Sequence, residues 1–545
     1  MKEPSLVFNE FHMSNDQQWL NRRKFLKNTA LGLAGTASAA GLLTGCDRTQ
    51  NTSASAHSDT QNIRAQQPKH GGTIKMGVIG GQQAGNLDPH LSPIGGSIIR
   101  GFAVYNKLWE WDENMLPRLA LAEFAEPNAD ASEWTIRLKK GLEFHHGKTV
   151  SADDVIFSLQ RLTDPKLASP FRNLVQWIDR DQLKKLDPYT VKISFVKDIP
   201  GFYALPETWV NFGGIVPTDF DPITNPVGAG PYRVKSFVPG QRSVFTRFEN
   251  YFKNDRPYAD SFEIIDFKDQ ISRLNALLSG QIDIANSITP EYIQILEKAK
   301  NIQTVRSKTN IHYGFDFNTQ KMPFDRPEVR QAFRLIADRT ALVQQALNGE
   351  GRVANDLYSP QDAVYLDLPQ RKQNIEEAKK LLAHAGFQNG LTVELVSLAG
   401  DPSKAAVVFA EHAKLANVTV NVRQVDSATF NSTQRANWQI STNASNVGTP
   451  YLSTAVVNDA PIAATNKINF KDPEYSKLFL KGLSEPDLGK RREILHQAQK
   501  IQHERGGLLI WGFGNVIDAA NQNIGGLTVE NTQFATWRFE KLWKI

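Results

Sequence analysis

Cys46 is the only cysteine in the 545-residue chain. It follows Leu43-Thr44-Gly45, and Leu-Thr-Gly-Cys resembles the lipobox, in which the cysteine is acylated and becomes the new N-terminus. A lone thiol excludes an intrachain disulfide and any cysteine-rich zinc site. His145 and His146 are adjacent, and neighbouring residues on a strand point to opposite faces. The pair is therefore not expected to chelate one ion, and no metal or cofactor is expected. The patterns GxSxG, HExxH, GxxxxGK[ST] and GxGxxG, which would place a nucleophile, a metal or a phosphate, do not occur. The chain is expected not to be an enzyme. A secreted hydrolase, or a receptor or chaperone without a transport role, is the alternative reading.

The residues before Cys46 read as an address. Arg22-Arg23-Lys24-Phe25-Leu26-Lys27 precedes a mildly apolar run from Ala30 to Leu43, rich in Ala and Gly. A basic stretch, a short apolar stretch and small residues before a cleavage point make a signal peptide, and Arg22 and Arg23 add twin-arginine character. Residues 1–45 are read as that signal. Met13 offers a second possible start ahead of it. Residues 46–70 are read as a lipid anchor and tether, polar and without periodicity. About 24 flexible residues reach roughly 25–30 Å. Asp47 resembles the signal that keeps a lipoprotein on the inner membrane, so the expected location is the periplasm, on the outer face of that membrane.

Composition agrees with a folded remainder. Hydrophobic residues make up 41% and charged residues 22%, with a formal charge of +5. That charge is too weak for a nucleic-acid partner. No apolar run after Cys46 approaches the ~18 residues of a membrane span.

The elements alternate. Thr73–Val78, Trp134–Leu138, Thr190–Val196, Leu391–Leu398 and Val418–Val425 alternate as strands. Helices are predicted near Ser97–Glu110, from Ser151, over Ser272–Leu278 and over 472–483 and 487–504. Another should run from an Asn374 cap with Glu377 to Gly386. Gly280 stops one helix before Ile282–Ile284, Thr289-Pro290 opens another, and Leu508–Phe513 is a last buried strand. The class is α/β with several sheets.

Five blocks then resemble family 5 of the bacterial extracellular solute-binding proteins, the peptide, opine and nickel class. They are Trp134–Gly147 (WTIRLKKGLEFHHG), Ser151–Leu159 (SADDVIFSL), Pro226–Tyr232 (PVGAGPY), Ser279–Asp283 (SGQID) and Asp325–Ala332 with Ala337–Arg339 (DRPEVRQA, ADR). The resemblance implies a two-lobed periplasmic-binding-protein fold with an extra inserted domain in the first lobe. Residues 71–310 would form that lobe, with the insertion at about 105–190. Residues 311–505 would form the second lobe, and 506–545 would return to the first. It further implies a monomer that closes on a peptide-like or other small polar solute and passes it to the permease subunits of an ABC importer. Within the blocks, Arg137 and Asp154 are expected to be scaffold ion pairs or caps.

The resemblance also points to a ligand segment. Peptide binders of this family carry a stretch like "aDYnDP" whose aspartate holds an α-ammonium. The matching stretch is Ala444–Tyr451, which puts Asn446 at the aspartate and Thr449 at the second acid, with Asn443 in place of a common tryptophan. Asn443, Ser445, Asn446 and Thr449 are then neutral donors and acceptors. Trp438 and Phe513 are candidate cleft walls. Trp511 is a third candidate wall, core is the more natural reading for each of the three, and the same holds for Trp109 and Trp209. Loss of a charge-assisted bond weakens an ammonium ligand by roughly ten- to a hundredfold. A peptide with a free amino end is accordingly expected to bind weakly, which isothermal titration calorimetry would measure. Tight binding of such a peptide by an acid at its terminus would contradict the assignment of Asn446.

Overall fold

The computed structural model describes residues 67–545, except 81–85, 92–94, 113–114, 198, 200, 211–212, 399–400, 431, 446–447, 462–467 and 532–534. Arg22, Arg23, Cys46 and most of the expected tether lie outside the described residues, as does Asn446.

One eleven-stranded sheet organises the chain. Two long strands form its centre, Ile302–Phe317 and Leu508–Asn521, paired antiparallel from Ile302 opposite Asn521 to Asp316 opposite Leu508. Sixteen residues at about 3.3 Å each span roughly 50 Å, enough to traverse both halves. On one side lie Ile284–Ala285, Thr73–Ile79, Ser261–Phe267, Arg242–Arg247 and Tyr232–Val238. On the other lie Ile440–Ala444, Leu391–Leu398 and Val418–Val425, the last two parallel. A separate four-stranded sheet, drawn from 122–194, packs with the helix Ala152–Thr163.

Three expectations change. The helix near Ser97–Glu110 is Gly95–Val104, and Trp109–Trp111 is a strand paired with Pro117–Leu119. The cause is a backbone bond: Gly230 N–H donates to Val104 O at 2.8 Å, ending the helix there. Leu508–Phe513 is only the first part of a 14-residue strand, because Ile302–Ser307 supplies a partner for the rest. Thr289-Pro290 opens a short 3₁₀ turn, Pro290–Tyr292, before the helix Ile293–Lys298.

The family-like blocks hold one another. His145 N–H donates to Gly228 O at 2.9 Å, its Nε2–H to Gly230 O at 3.0 Å, and Nδ1 takes Gly228 N–H at 3.4 Å. Both glycines are needed for close approach, since a Cβ on Gly228 would lie 2.1 Å from Val104 O and one on Gly230 2.5 Å from Val104 C. Asp154 accepts from Ser151 N–H at 2.9 Å, Thr218 N–H at 2.9 Å and Lys148 Nζ at 2.7 Å. Arg137 pairs with Glu123 on the surface. Asp283 takes Lys75 N–H and the Lys544 ammonium, both at 2.9 Å.

The DRPEVRQAFRLIADR block caps a helix from outside. Its helix, Pro327–Ile336, carries Arg330 and Arg334, both buried. They reach the carbonyl end of Leu488–Arg505. Arg330 Nε donates to Gly506 O at 3.1 Å and Nη2 to Arg505 O at 2.6 Å, while Arg334 Nε donates to Leu508 O at 2.9 Å. The Arg505 and Gly506 carbonyls lie at the end of that helix, where intrahelical donors run out and the dipole favours a cation, while Leu508 O belongs to the strand that follows. Burial nevertheless holds the Arg334 guanidinium down to about 9. Arg339 meets Asp356 through two bonds, at 2.8 and 2.7 Å.

Arg334→Met is expected to cost about 2–4 kcal/mol, because it leaves buried carbonyls without donors. Arg334→Lys should recover only part, lacking the planar fork. Urea denaturation followed by circular dichroism would check both.

Candidate ligand-binding site

The register of the central pair is irregular between Lys308 and His312. Thr309 and Asn310 sit in that gap, both buried, and their groups face neighbours rather than the ladder. Arg352 Nη2 donates to Thr309 O at 2.7 Å. Asn310 Oδ1 accepts Gln361 N–H at 3.1 Å, and its Nδ2 donates toward Met115 Sδ at 3.3 Å and Thr449 O at 3.5 Å. One side chain thereby touches the first half, through Met115, and the second, through Gln361 and Thr449. Gly448 packs directly on the same bulge: a Cβ there would lie 2.6 Å from Asn310 N.

The residues singled out in the sequence fall in three places. Ser445, Thr449 and Phe513 lie at this crossing. Ser445 N–H donates to His312 O at 3.0 Å, and His312 N–H donates to Ser445 Oγ at 2.9 Å, so Ser445 extends the strand pairing beyond Ala444. Thr449 Oγ1 is 2.8 Å from Thr454 Oγ1, and its carbonyl takes the Ser359 hydroxyl at 2.7 Å. Phe513 is buried opposite His312, with the Arg352 guanidinium 5.4 Å from its ring centroid.

Asn443 lies in the neighbouring strand, and its amide is engaged. Nδ2 donates to Asp316 Oδ1 at 2.6 Å, and Arg435 Nη2 donates to Asp316 Oδ2 at 2.9 Å. A buried carboxylate needs such donors, so Asn443 serves the interior of its own half. Trp438 belongs to a small separate cluster with Val396 and Phe430. Its ring centroid is 5.6 Å from that of Phe430, and the Arg423 guanidinium stands 5.7 Å from it. Trp511 packs near Tyr313, and Trp109 lies 6.0 Å from Trp209 in core.

Sequence reasoning missed Asn310, Ser359, Gln361 and Arg352, whose roles depend on the bulge. It also missed a second set of contacts between 199–209 and the helices Tyr451–Asn458, Pro473–Ser484 and Leu488–Arg505. Tyr203 N–H donates to Leu483 O at 3.0 Å, Ser453 Oγ donates to Glu207 O, and Arg491 Nη1 lies 3.4 Å from Glu207 Oε1. The last two partners are 246 and 284 positions apart, beyond any local pattern. Behind Tyr451, the buried Asp459 accepts from Tyr358 OH at 2.7 Å and Gln502 Nε2 at 2.5 Å, and Gln502 Oε1 takes Tyr451 OH at 2.8 Å. Burial pushes the Asp459 carboxyl up to about 6.

His145 has both ring nitrogens engaged by Gly228 and Gly230, and His146 Nε2 lies 3.4 Å from the Asp219 carboxylate. The described residues hold no group of three or more His, Cys, Asp or Glu side chains placed to share an ion.

The chain belongs to the bacterial extracellular solute-binding proteins, family 5, whose middle-region pattern matches residues 116–458. The periplasmic oligopeptide-binding protein OppA of Escherichia coli is 27% identical over 483 residues, covering 77% of this chain and 83% of that one. The glutathione-binding protein GsiB of Pectobacterium atrosepticum is 28% identical over 357 residues, covering 62% and 66%. Among solved structures, the PBP AgaA from A. tumefaciens R10, in complex with agropinic acid, superposes with a TM-score of 0.76 at 25% identity, covering 87% of this chain and 99% of that one. The fold is the two-lobed periplasmic-binding-protein fold of this family.

Burial, above all, holds the His145 ring down to about 4, so it is neutral near pH 7. A histidine lowered below its ordinary 6.5 contributes stability that is complete above that value and is lost as pH falls through 4. Thermal melting should therefore drop between pH 6.5 and 4. His145→Asn should remove on the order of 1–3 kcal/mol of that slope, even if the variant is less stable at pH 7.

Proposed function

We propose that this protein captures a small polar solute between its two lobes and delivers it to the permease of an ABC importer, held to the membrane through Cys46. The observation that carries the capture reading is the crossing itself. The two long strands joining the halves lose register at Thr309–Asn310, where polar groups from both halves converge. A local break in a continuous ladder is a natural hinge, and solute bound between the halves would shift the population toward the closed form.

The side chains of Thr309, Asn310, Ser359, Gln361, Ser445 and Thr449 at this crossing are neutral, Arg352 is a cation, and the adjoining Asp362 carboxylate already takes the Tyr451 N–H at 2.7 Å. With the Asn443 amide committed to Asp316, the remaining donors and acceptors suit hydroxyls, amides or a carboxylate better than an ammonium. OppA is named for oligopeptides and GsiB for glutathione, and the AgaA complex holds agropinic acid. That spread supports a binder over a hydrolase. The twin-arginine signal at Arg22 and Arg23 supports export of the folded chain, and a monomer suits delivery by one closing molecule.

Native mass spectrometry of the protein purified from the exported fraction should show a retained, chemically intact solute. Recovery of cleavage products alone would favour the hydrolase instead. Cys46→Ala should move the protein from the membrane to the soluble fraction and abolish fatty-acid labelling, which fractionation with radiolabelled palmitate would show. Continued membrane retention of that variant would end the anchoring claim.

A further inference from the structure

The four-stranded sheet drawn from 122–194 is fastened to the second half by the segment that follows it. Phe202 still belongs to the sheet: its N–H donates to Ala131 O at 2.9 Å, and its carbonyl takes the Trp134 indole N–H at 2.8 Å. Gly201, at φ +137°, lets the chain pass there, since a Cβ would lie 2.3 Å from Asp130 O. One residue after Phe202 the bonds change sides. Tyr203 N–H donates to Leu483 O at 3.0 Å, and the short helix Leu205–Thr208 packs on the helix Tyr451–Asn458. Leu205 shares a core with Leu452, Ala455 and Val456, all buried. Polar groups complete the contact. Glu207 O accepts the Ser453 hydroxyl, and Glu207 Oε1 lies 3.4 Å from Arg491 Nη1, in side chains only 14% and 5% exposed. Arg491 is fixed within its own half by Nε, which donates to Glu485 O at 2.8 Å.

The helix held in this way is the one that continues the ligand segment. Its cap is Pro450, directly after Gly448 and Thr449, which rest on the bulge at Asn310. Fixing the helix against the sheet therefore fixes that segment at the crossing. The long strand Ile302–Phe317 separates the two sides of the contact in the chain, so rotation of one half against the other about the bulge has to part them. Apart, water satisfies Glu207 and Arg491; together, both charges are largely cut off from it. A buried pair contributes little net, because lost hydration offsets the attraction, whereas one partner left alone is strongly penalised. That penalty falls on the closed arrangement and not on the open one. The pair Lys404–Glu291, which also joins the two halves, lacks this leverage because its side chains are 44% and 36% exposed.

We propose that the four-stranded sheet acts as a strap on the solute cleft, in which Glu207, through Ser453 and Arg491, positions the helix Tyr451–Asn458 and sets the balance between open and closed forms without touching solute. The proposal rests on the capture reading above.

The test uses the mature protein without added solute, carrying Cys46→Ala and spin labels at Lys184→Cys and Lys477→Cys, exposed positions on the two sides of the contact. Pulsed electron spin resonance reads the distance between the labels. The parent protein should populate a short distance, the closed form. Glu207→Gln and Arg491→Met should each lower the ratio of short to long distances at least about tenfold, and the double variant should recover part of that loss. Ser453→Ala should lower the ratio roughly two- to tenfold and serves if a charge variant misfolds by circular dichroism. Lys404→Met should stay within a few-fold. Only a long distance in the parent, unchanged ratios in the folded variants, no recovery in the double variant, or an equal loss in Lys404→Met overturns the proposal. So does a lower melting temperature at unchanged distances, which would mark the contact as permanent. Native mass spectra separate the strap from the capture reading. Intact solute retained by wild type, with distances unmoved by Glu207→Gln, sinks the strap and leaves capture standing. A Glu207-dependent shift in a protein that retains no solute sinks capture and leaves the strap.

Discussion

The antiparallel pairing of Ile302–Phe317 with Leu508–Asn521 is the constraint on which the rest of the molecule depends. These strands are far apart in sequence, and between them the chain builds the whole second half. Each half adds its own strands to one edge of the pair, so a single ladder runs through both. Such a ladder is stiff where its register is regular. The bulge at Thr309–Asn310 is where it is not, and backbone carbonyls there are taken up by Arg352, which donates to Thr309 O, and by Gln361, which donates to Lys308 O. Bulges redirect a strand and concentrate local twist. Stiffness and bend are thus properties of the same two strands.

The pair also explains which parts of the fold were legible. Strands such as Leu391–Leu398 and Thr190–Ser194 announce themselves by alternation or apolar runs. The helix from Ile375 to His384 announces itself by its cap: Asn374 Oδ1 accepts Glu377 N–H at 3.0 Å, and Gly386 follows with φ of +85°. Ile302–Phe317 does not announce itself. It is buried along most of its length but carries Arg306, Lys308, Asn310, His312 and Asp316, because its polar groups are satisfied by partners brought from elsewhere. Period and hydropathy report local burial, and they fail where long-range pairing makes the burial of polar residues tolerable. Leu508–Phe513 was legible as a strand, but its continuation to Asn521 depends on Ile302–Ser307, a partner the sequence pattern did not reveal.

The site was legible in outline only, for the same reason. Alignment to the family's ligand segment pointed to Ala444–Tyr451, and Ser445 and Thr449 of that stretch lie at the crossing. What it could not disclose was how much of that polarity is already spent. Asn443 is committed to Asp316, Ser445 to the His312 backbone, and Thr449 to Thr454 and Ser359. A polar side chain in sequence is a donor or acceptor in general; only the packed structure says whom it serves. Asn310 and Gln361 had no distinguishing spacing and acquire their positions entirely from the bulge.

Buried charge shows how strictly this accounting is kept. Arg100 meets Asp266 at 2.6 Å, Arg339 meets Asp356, and Arg435 meets Asp316. Arg330 and Arg334, without carboxylates in contact, are met by the open carbonyls of a helix end and the strand that follows. These are the two ways a protein interior makes a cation tolerable: an opposite charge, or oriented dipoles.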